Sequence, residues 1–204
     1  MPAGECEMAK NVVAIVGSYR EGGMVDQAVD AVLSGAREQG AVTSKIYLIE
    51  KHIEYCHNCR TCTLQEGEQR GKCVIDDDVS KILAEVEKAD AIVLGSPVNF
   101  YNTTALFRAF LERLVGCTYW PWGKMAPKPR STKLPRKAVL ISSASMPGFL
   151  QPLMTGAPKA LRIAANSLGA KPVAKLWIGG AAQVAKPKIS ESASRQAHKI
   201  GAGL

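Results

Sequence analysis

The stretch VVAIVGSYREGGM, residues 12–24, decides how this chain is read. Val12 to Val16 is an unbroken apolar run rich in β-branched residues, the pattern of a strand covered on both faces. It stops at Gly17. Ser18-Tyr19-Arg20-Glu21-Gly22-Gly23 then lead into Val25, Ala28, Val29, Val32, Leu33 and Ala36, which recur at helical spacing up to a stop at Gly40. A glycine-rich turn between a buried strand and a helix is an anion-site pattern. The first helical amides lack backbone acceptors, the helix dipole favours negative charge there, and Gly22 and Gly23 let the backbone approach a ligand. Ser18 adds a hydroxyl, and Arg20 adds a guanidinium able to grip a phosphate through two bonds. The spacing is neither a Walker A loop nor G-x-G-x-x-G, so a mononucleotide phosphate is expected rather than ATP or a dinucleotide pyrophosphate. A tight turn with no ligand is the plain alternative.

Outward from this stretch the strand–helix alternation continues. Thr43 to Ile49 reads as a second strand, and Asp76-Asp77-Asp78 as the N-cap of a helix carrying Val79, Ile82, Leu83 and Val86. Ala91 to Leu94 reads as a third strand, closed by Gly95-Ser96-Pro97, and a helix from Thr104 to Val115 buries Phe107, Phe110, Leu111 and Leu114. Lys137 to Ile141 is a fourth strand, Ala157 to Leu168 a helix ended by Gly169, and Val173 to Ile178 a fifth strand. The expected fold class is α/β, a three-layer doubly wound parallel sheet of five strands. In such sheets ligands bind beyond the C-terminal strand ends, which selects the loops at 17–25, 96–102 and 142–149. Residues 1–204 read as a single domain without internal repeats. It carries a cysteine loop at 51–75, an aromatic and basic insertion at 117–136, and a polar tail at 179–204 with one short helix.

Apolar content of 47% and charged content of 22% are globular values, and no apolar run approaches the ~18 residues of a membrane span. The start MPAGECEMAKN has acids and no apolar core, so no secretory signal is read and the cytoplasm is the expected compartment. There, six cysteines point to metal or redox chemistry rather than a disulfide framework. Charge is uneven: residues 1–112 carry −6 and residues 113–204 carry +14, with no acid between Glu112 and Glu191. Such a field attracts phosphorylated cofactors, an acidic redox partner or nucleic acid, unless it is only a solvated face.

Three blocks in order carry a resemblance: GSYREGGM, the cysteine loop running into DDD, and ADAIVLGSPVNFYNTTALFRAFLER. Over residues 10–178 the chain resembles the flavodoxin-like flavoproteins, specifically the NADPH-dependent FMN reductase and iron–sulfur flavoprotein group. The resemblance implies a flavodoxin-like sheet of order 2-1-3-4-5, FMN as cofactor and NAD(P)H as co-substrate. It implies that Ser18, Arg20, Gly22, Gly23, Met24 and Val25 hold the FMN phosphate. The family usually has Asn and then Thr or Ser where this chain has Met24 and Val25, so only backbone amides remain at those positions. Pro97, Val98, Asn99, Phe100 and Tyr101 are implied to lie against the flavin ring. An aromatic more often stands at the Asn99 position, so stacking falls to Phe100 or Tyr101. The amides around Ser143, Ala144, Ser145 and Gly148 are placed, by position, to bond the pyrimidine edge. Self-association as a homodimer or homotetramer is also implied.

Cys56, Cys59 and Cys62 form C-x2-C-x2-C, and Cys73 follows after ten residues. Four thiolates are chemically sufficient for [4Fe–4S] or zinc, and the resemblance implies a cluster for the iron–sulfur flavoproteins. The ten-residue last gap is longer than that motif's usual spacing, and uncoordinated or redox thiols stay open. Cys6 and Cys117 read as ordinary thiols, and His52, His57 and His198 have no hydrolytic partner in a motif. Trp120 and Trp122 in the insertion are expected to be buried or at an interface, covering the flavin or joining subunits. Three functions follow. The first is an FMN-binding oxidoreductase with NAD(P)H as donor and a quinone, flavin or other small molecule as acceptor. The second is an electron carrier joining FMN and [4Fe–4S] to an acidic ferredoxin-like partner. The third is a non-catalytic anion- or nucleic-acid-binding module.

Overall fold

The computed structural model describes residues 9–130 and 132–204. The readings made for Cys6 and for the opening residues fall outside them. Five parallel strands form one sheet: β1 (Asn11–Val16), β2 (Val42–Tyr47), β3 (Ala91–Gly95), β6 (Arg136–Ser143) and β7 (Ala170–Ile178). Their order is β2-β1-β3-β6-β7. The missing numbers, β4 (Thr118–Tyr119) and β5 (Lys128–Pro129), are a two-residue antiparallel ribbon inside the insertion. Counting the main-sheet strands alone, the order is the expected 2-1-3-4-5.

Alternation along each strand feeds two apolar layers. Val13, Ile15, Ile92, Leu94 and Leu140 face α2 (Val79–Glu87), α3 (Ala105–Arg113) and α5 (Ala157–Ser167). Val12, Ala14, Val16, Val93, Val139 and Ile141 face α1 (Met24–Glu38) and α6 (Glu191–Ala202). A further α4 (Gln151–Met154) is a single turn. Among the described residues no helix is long and apolar enough to cross a membrane.

Two expectations are corrected here. Strand β2 ends at Tyr47, and Leu48–Glu50 turn into a 3-10 helix. Strand β7 begins three residues before Val173, at Ala170; Pro172 is accommodated because β7 is an edge strand whose register shifts opposite Ala138/Val139. The helix expected in the polar C-terminal stretch is present and twelve residues long. Its contact stripe is made of small residues, so it carries little hydrophobic signal. A Cβ on Gly201 would sit 1.8 Å from the Val32 carbonyl oxygen, and one on Gly35 would sit 2.1 Å from that of His198. The two helices therefore meet backbone to backbone.

In the insertion the two tryptophans share one partner. Trp120 is half-buried and Trp122 is 67% exposed. Both rings close on the Arg60 guanidinium, at 4.1 and 4.3 Å from its centre. The insertion thus grips the cysteine loop of its own chain.

Candidate functional site

The loops after β1, β3 and β6 meet at one edge of the sheet, held by a small set of bonds around Gly17. Its amide donates to the Gly95 carbonyl, and its own carbonyl accepts from Thr104 Oγ1 at 2.6 Å and Ser96 Oγ at 3.5 Å. Thr104 is also the N-cap of α3, accepting from the Phe107 amide. Val98 donates to the Ser143 carbonyl at 2.7 Å, which ties the second loop to the third.

In the first loop Ser18 is buried, its hydroxyl accepting from the Arg20 amide and donating to the Arg20 carbonyl. Arg20 itself is exposed. Gly22 has φ +67 with open space where a Cβ would project, so the turn needs the left-handed region that glycine adopts without strain. Gly23 begins α1 without a side-chain cap. Met24 and Val25 point into the core, leaving the first-turn backbone amides as the polar groups of the helix start.

Sequence reasoning missed Asp26. Its buried carboxylate accepts from the Gly22 amide at 2.7 Å, from Lys45 Nζ at 3.0 Å and from the Tyr47 hydroxyl at 2.7 Å. Burial disfavours the Lys45 charge, but bonds to Asp30, Tyr47 and Asp26 outweigh it and hold the ammonium above the usual lysine range. The Asp26 charge is therefore met within the protein. An acid in the first turn, reaching back to an amide before it, was the available signal.

In the second loop Pro97 and Val98 are half-buried, while Asn99, Phe100 and Tyr101 are exposed. In the third loop the Ala144 amide donates to the Ile178 carbonyl and so extends the sheet instead of facing a ligand. Ser143 is buried, Ser145 is exposed, and Gly148 passes so close to Trp177 that a Cβ would meet its carbonyl oxygen at 2.0 Å. Buried oxygens of Thr103, Ser142 and Gln151 have no hydrogen-bond partner among the described residues.

The residues of the first loop fit an FMN phosphate. They present a helix start without a side-chain cap, an open glycine turn and an exposed guanidinium, with the nearby carboxylate already neutralised.

The four loop cysteines do not form a comparable cradle. Among the described residues no three Cys, His, Asp or Glu side chains come together at metal-ligand spacing. Cys59 is exposed, and bonds from Thr61 lower its thiol pKa. Cys62 is buried; burial and the nearby Cys73, Cys56 and Cys59 push its thiol up. Cys73 accepts from Arg113 Nη2 at 3.4 Å. Cys62, Cys73 and Cys117 line a cavity of about 400 Å³ with Arg70, Lys72 and Arg113. Burial pushes the Cys117 thiol up to about 11. As arranged, the four thiols do not fit a cluster.

Arginines order this loop instead. Arg130 donates to the carbonyls of Cys62, Gln65, Gly67 and Gly116, and Arg60 Nη2 donates to those of Trp120 and Pro121. Arg113 binds the Glu54 carbonyl and both Asp77 oxygens. Within the triplet expected to cap α2, Asp77 supplies the side chain, accepting from the Val79 amide, while Asp78 accepts from the His52 amide. His52 and His198 pair with Glu54 and Glu38 at the surface.

The family model for NADPH-dependent FMN reductases matches residues 10–183. The chain belongs to that family. An iron–sulfur flavoprotein of Archaeoglobus fulgidus is 35% identical over 103 residues, covering 50% of this chain and 44% of that protein. One from Methanocaldococcus jannaschii is 36% identical over 102 residues, covering 50% of each. The chain spans about half the length of these relatives. The solved NAD(P)H:quinone oxidoreductase from Methanothermobacter marburgensis superposes with a TM-score of 0.64 at 18% identity, covering 96% of this chain and 97% of that one. The last likeness is one of fold. Together with the sheet order, these matches make the chain a flavodoxin-like member of the FMN reductase family.

Proposed function

We propose that this chain is an FMN-dependent oxidoreductase that passes electrons from NAD(P)H to a small acceptor such as a quinone or a free flavin. The observation that carries the reading is the uncapped start of α1 beside Gly22 and Arg20, at the edge where three loops are stapled together. FMN, when bound, supplies a two-electron carrier between a nicotinamide and the acceptor. The chain's own part is positioning and electrostatics. The α1 amides and Arg20 hold the phosphate, and the Gly17–Ser96–Thr104 bonds fix the loops against each other. Ser145 and the residues from Pro97 to Tyr101 supply contacts toward the ring. With a quinone as acceptor, NAD(P)H and one proton yield NAD(P)+ and the hydroquinone, so the electrons balance.

The decisive experiment is titration of the purified protein with FMN, followed by anaerobic addition of NADPH or NADH. Stoichiometric binding and bleaching of the flavin absorbance are expected; absence of FMN binding would remove the reading. Arg20→Ala is expected to weaken FMN affinity about tenfold or more, as loss of a charge-assisted phosphate bond does, and to leave riboflavin affinity little changed.

Likeness to the iron–sulfur flavoproteins carries a second reading, an electron carrier with a [4Fe–4S] cluster at Cys56, Cys59, Cys62 and Cys73 and an acidic ferredoxin-like partner. Among the described residues no three of these thiols meet at metal-ligand spacing, which favours the first reading. Iron and acid-labile sulfide in anaerobically purified protein would favour the second. Self-association as a homodimer or homotetramer is part of either reading and is read by sedimentation.

A further inference from the structure

A cavity of about 460 Å³ lies between the insertion, α2 and the end of α5, within the ~300–1,000 Å³ usual for small-molecule sites. It sits at the far end of the sheet from the three loops. Strand β6 runs from Arg136, on the cavity wall, to Ser143 at the loop edge. Seven residue steps of about 3.3 Å put roughly 23 Å between those two positions. The cavity therefore belongs neither to the phosphate loop nor to the ring contacts. Leu83 and Val86 of α2 and Leu168 after α5 give it an apolar floor, and the exposed Ile163 stands at its edge.

The wall carries four cations, Arg70, Arg130, Lys133 and Arg136, against two acids, Glu68 and Glu87. The arginines are not equivalent. Arg136 donates to the carbonyls of Glu87, Ala89 and Leu168, so it caps the C-terminal ends of both α2 and α5. That cap offsets the repulsion which two helix ends would exert on an anion. Arg130 is spread over the carbonyls of the cysteine loop and Gly116. Arg70 is different. Its Nε donates to Glu87 at 2.7 Å, and neither of its Nη groups has a partner among the described residues. Glu87 thus fixes the guanidinium and leaves its two-pronged edge open, the geometry that grips a carboxylate through parallel bonds. Arg70, Leu83 and Cys117 also line the thiol-bearing cavity described above, so this open fork stands where two internal spaces meet.

We propose that this cavity is a second ligand site, for an amphipathic monocarboxylate. The carboxylate sits in the Arg70 fork, and the hydrocarbon body lies on Leu83, Val86, Leu168 and Ile163. The surplus of cations sets the sign of the head group, and the single open fork sets its number. The apolar floor rewards a body that leaves water, so a bare inorganic anion gains only half of the interaction. The site stands apart from the FMN reading and can be measured with or without the flavin.

The test is calorimetric titration of the full chain with octanoate, with acetate and 1-octanol as the two halves of the probe. Octanoate is expected to bind one equivalent per chain, about tenfold or more tighter than either half. Arg70→Gln should weaken it about tenfold, and Arg70→Lys, which keeps the charge and loses the fork, about threefold. Ile163→Glu changes only an exposed edge position and should also weaken octanoate about tenfold, so the test survives even if the Arg70 variants fail to fold. FMN titrations should be unchanged in all three variants. Absence of saturable binding, equal affinity for 1-octanol, or full affinity in Arg70→Gln and Ile163→Glu overturns the proposal. Loss of octanoate binding on saturation with FMN would place the probe at the loop edge and overturn it as well. So would dissociation of an oligomer by octanoate, read by sedimentation, which would make the groove a subunit contact.

Discussion

Replacing Phe107 by alanine is expected to cost about 3–5 kcal/mol of folding stability and to weaken anion binding at a loop to which Phe107 does not belong. Phe107 is fully buried on the inner face of α3. Gly17 lies flush against it, so that a Cβ at position 17 would approach the Phe107 Cβ to 2.7 Å. The chain can leave β1 along this path only because position 17 lacks a side chain and the Phe107 ring supports it from below. Truncating the ring opens a void under the first residue of the phosphate loop. Urea unfolding followed by circular dichroism reads the stability loss as a lower midpoint at unchanged slope. FMN titration at a temperature where the variant is fully folded reads the second effect. Wild-type affinity in a destabilised variant would mean that the Ser96 and Thr104 hydroxyls alone hold the loop.

A loss of similar size, about 3–5 kcal/mol, is expected for Arg113→Ala, because it strands a buried carboxylate. Arg113 and Asp77 are almost wholly removed from solvent, and the guanidinium reaches both carboxylate oxygens and the Glu54 carbonyl. A double variant with leucine at both positions should recover much of the loss, since it leaves no charge unpaired. The pair also sets an acid limit. Burial by itself would raise the Asp77 carboxyl, but Arg113 and the amides of Glu54 and Val79 outweigh it and hold it below the usual carboxylate range. A carboxyl depressed in the folded state contributes its stability above the unfolded value of about 3.9 and loses it as pH falls through the folded value. Unfolding midpoints measured from pH 6 downward should therefore drop below about pH 4, and drop less in the double-leucine variant.

These two residues also show where sequence reasoning succeeds and where it stops. Phe107 was legible as core, because it falls at helical spacing with Phe110 and Leu114 after a clear strand and turn. The five strands of the sheet were legible for the same reason, through buried runs punctuated by glycine and helical periods, while their order came with the family resemblance. Arg113 was not legible. Its partner lies 36 positions away in a triplet of aspartates that reads equally well as a helix cap. Asp26 was hidden by its distance from Lys45 and Tyr47 on a neighbouring strand, and α6 by a contact stripe of alanine and glycine that carries little hydrophobic weight. The cysteine spacing was plain, but convergence of thiols is a property of the folded loop. Local pattern speaks for elements; the pairings between remote polar groups emerge only when the elements are assembled.

The arginine bonds across the cysteine loop have a consequence for how that loop can change. Its course is set by guanidinium groups on main-chain carbonyls, with Arg130 alone fastening Cys62, Gln65, Gly67 and Gly116. Those bonds ignore which side chains the fastened residues carry. Sulfur at positions 56 and 59 is thus replaceable cargo beside a fixed bracket, open to serine exchange, alkylation or oxidation without refolding the bracket. A loop built this way can gain or shed thiol chemistry over evolutionary time while the flavodoxin-like frame beneath it stays the same.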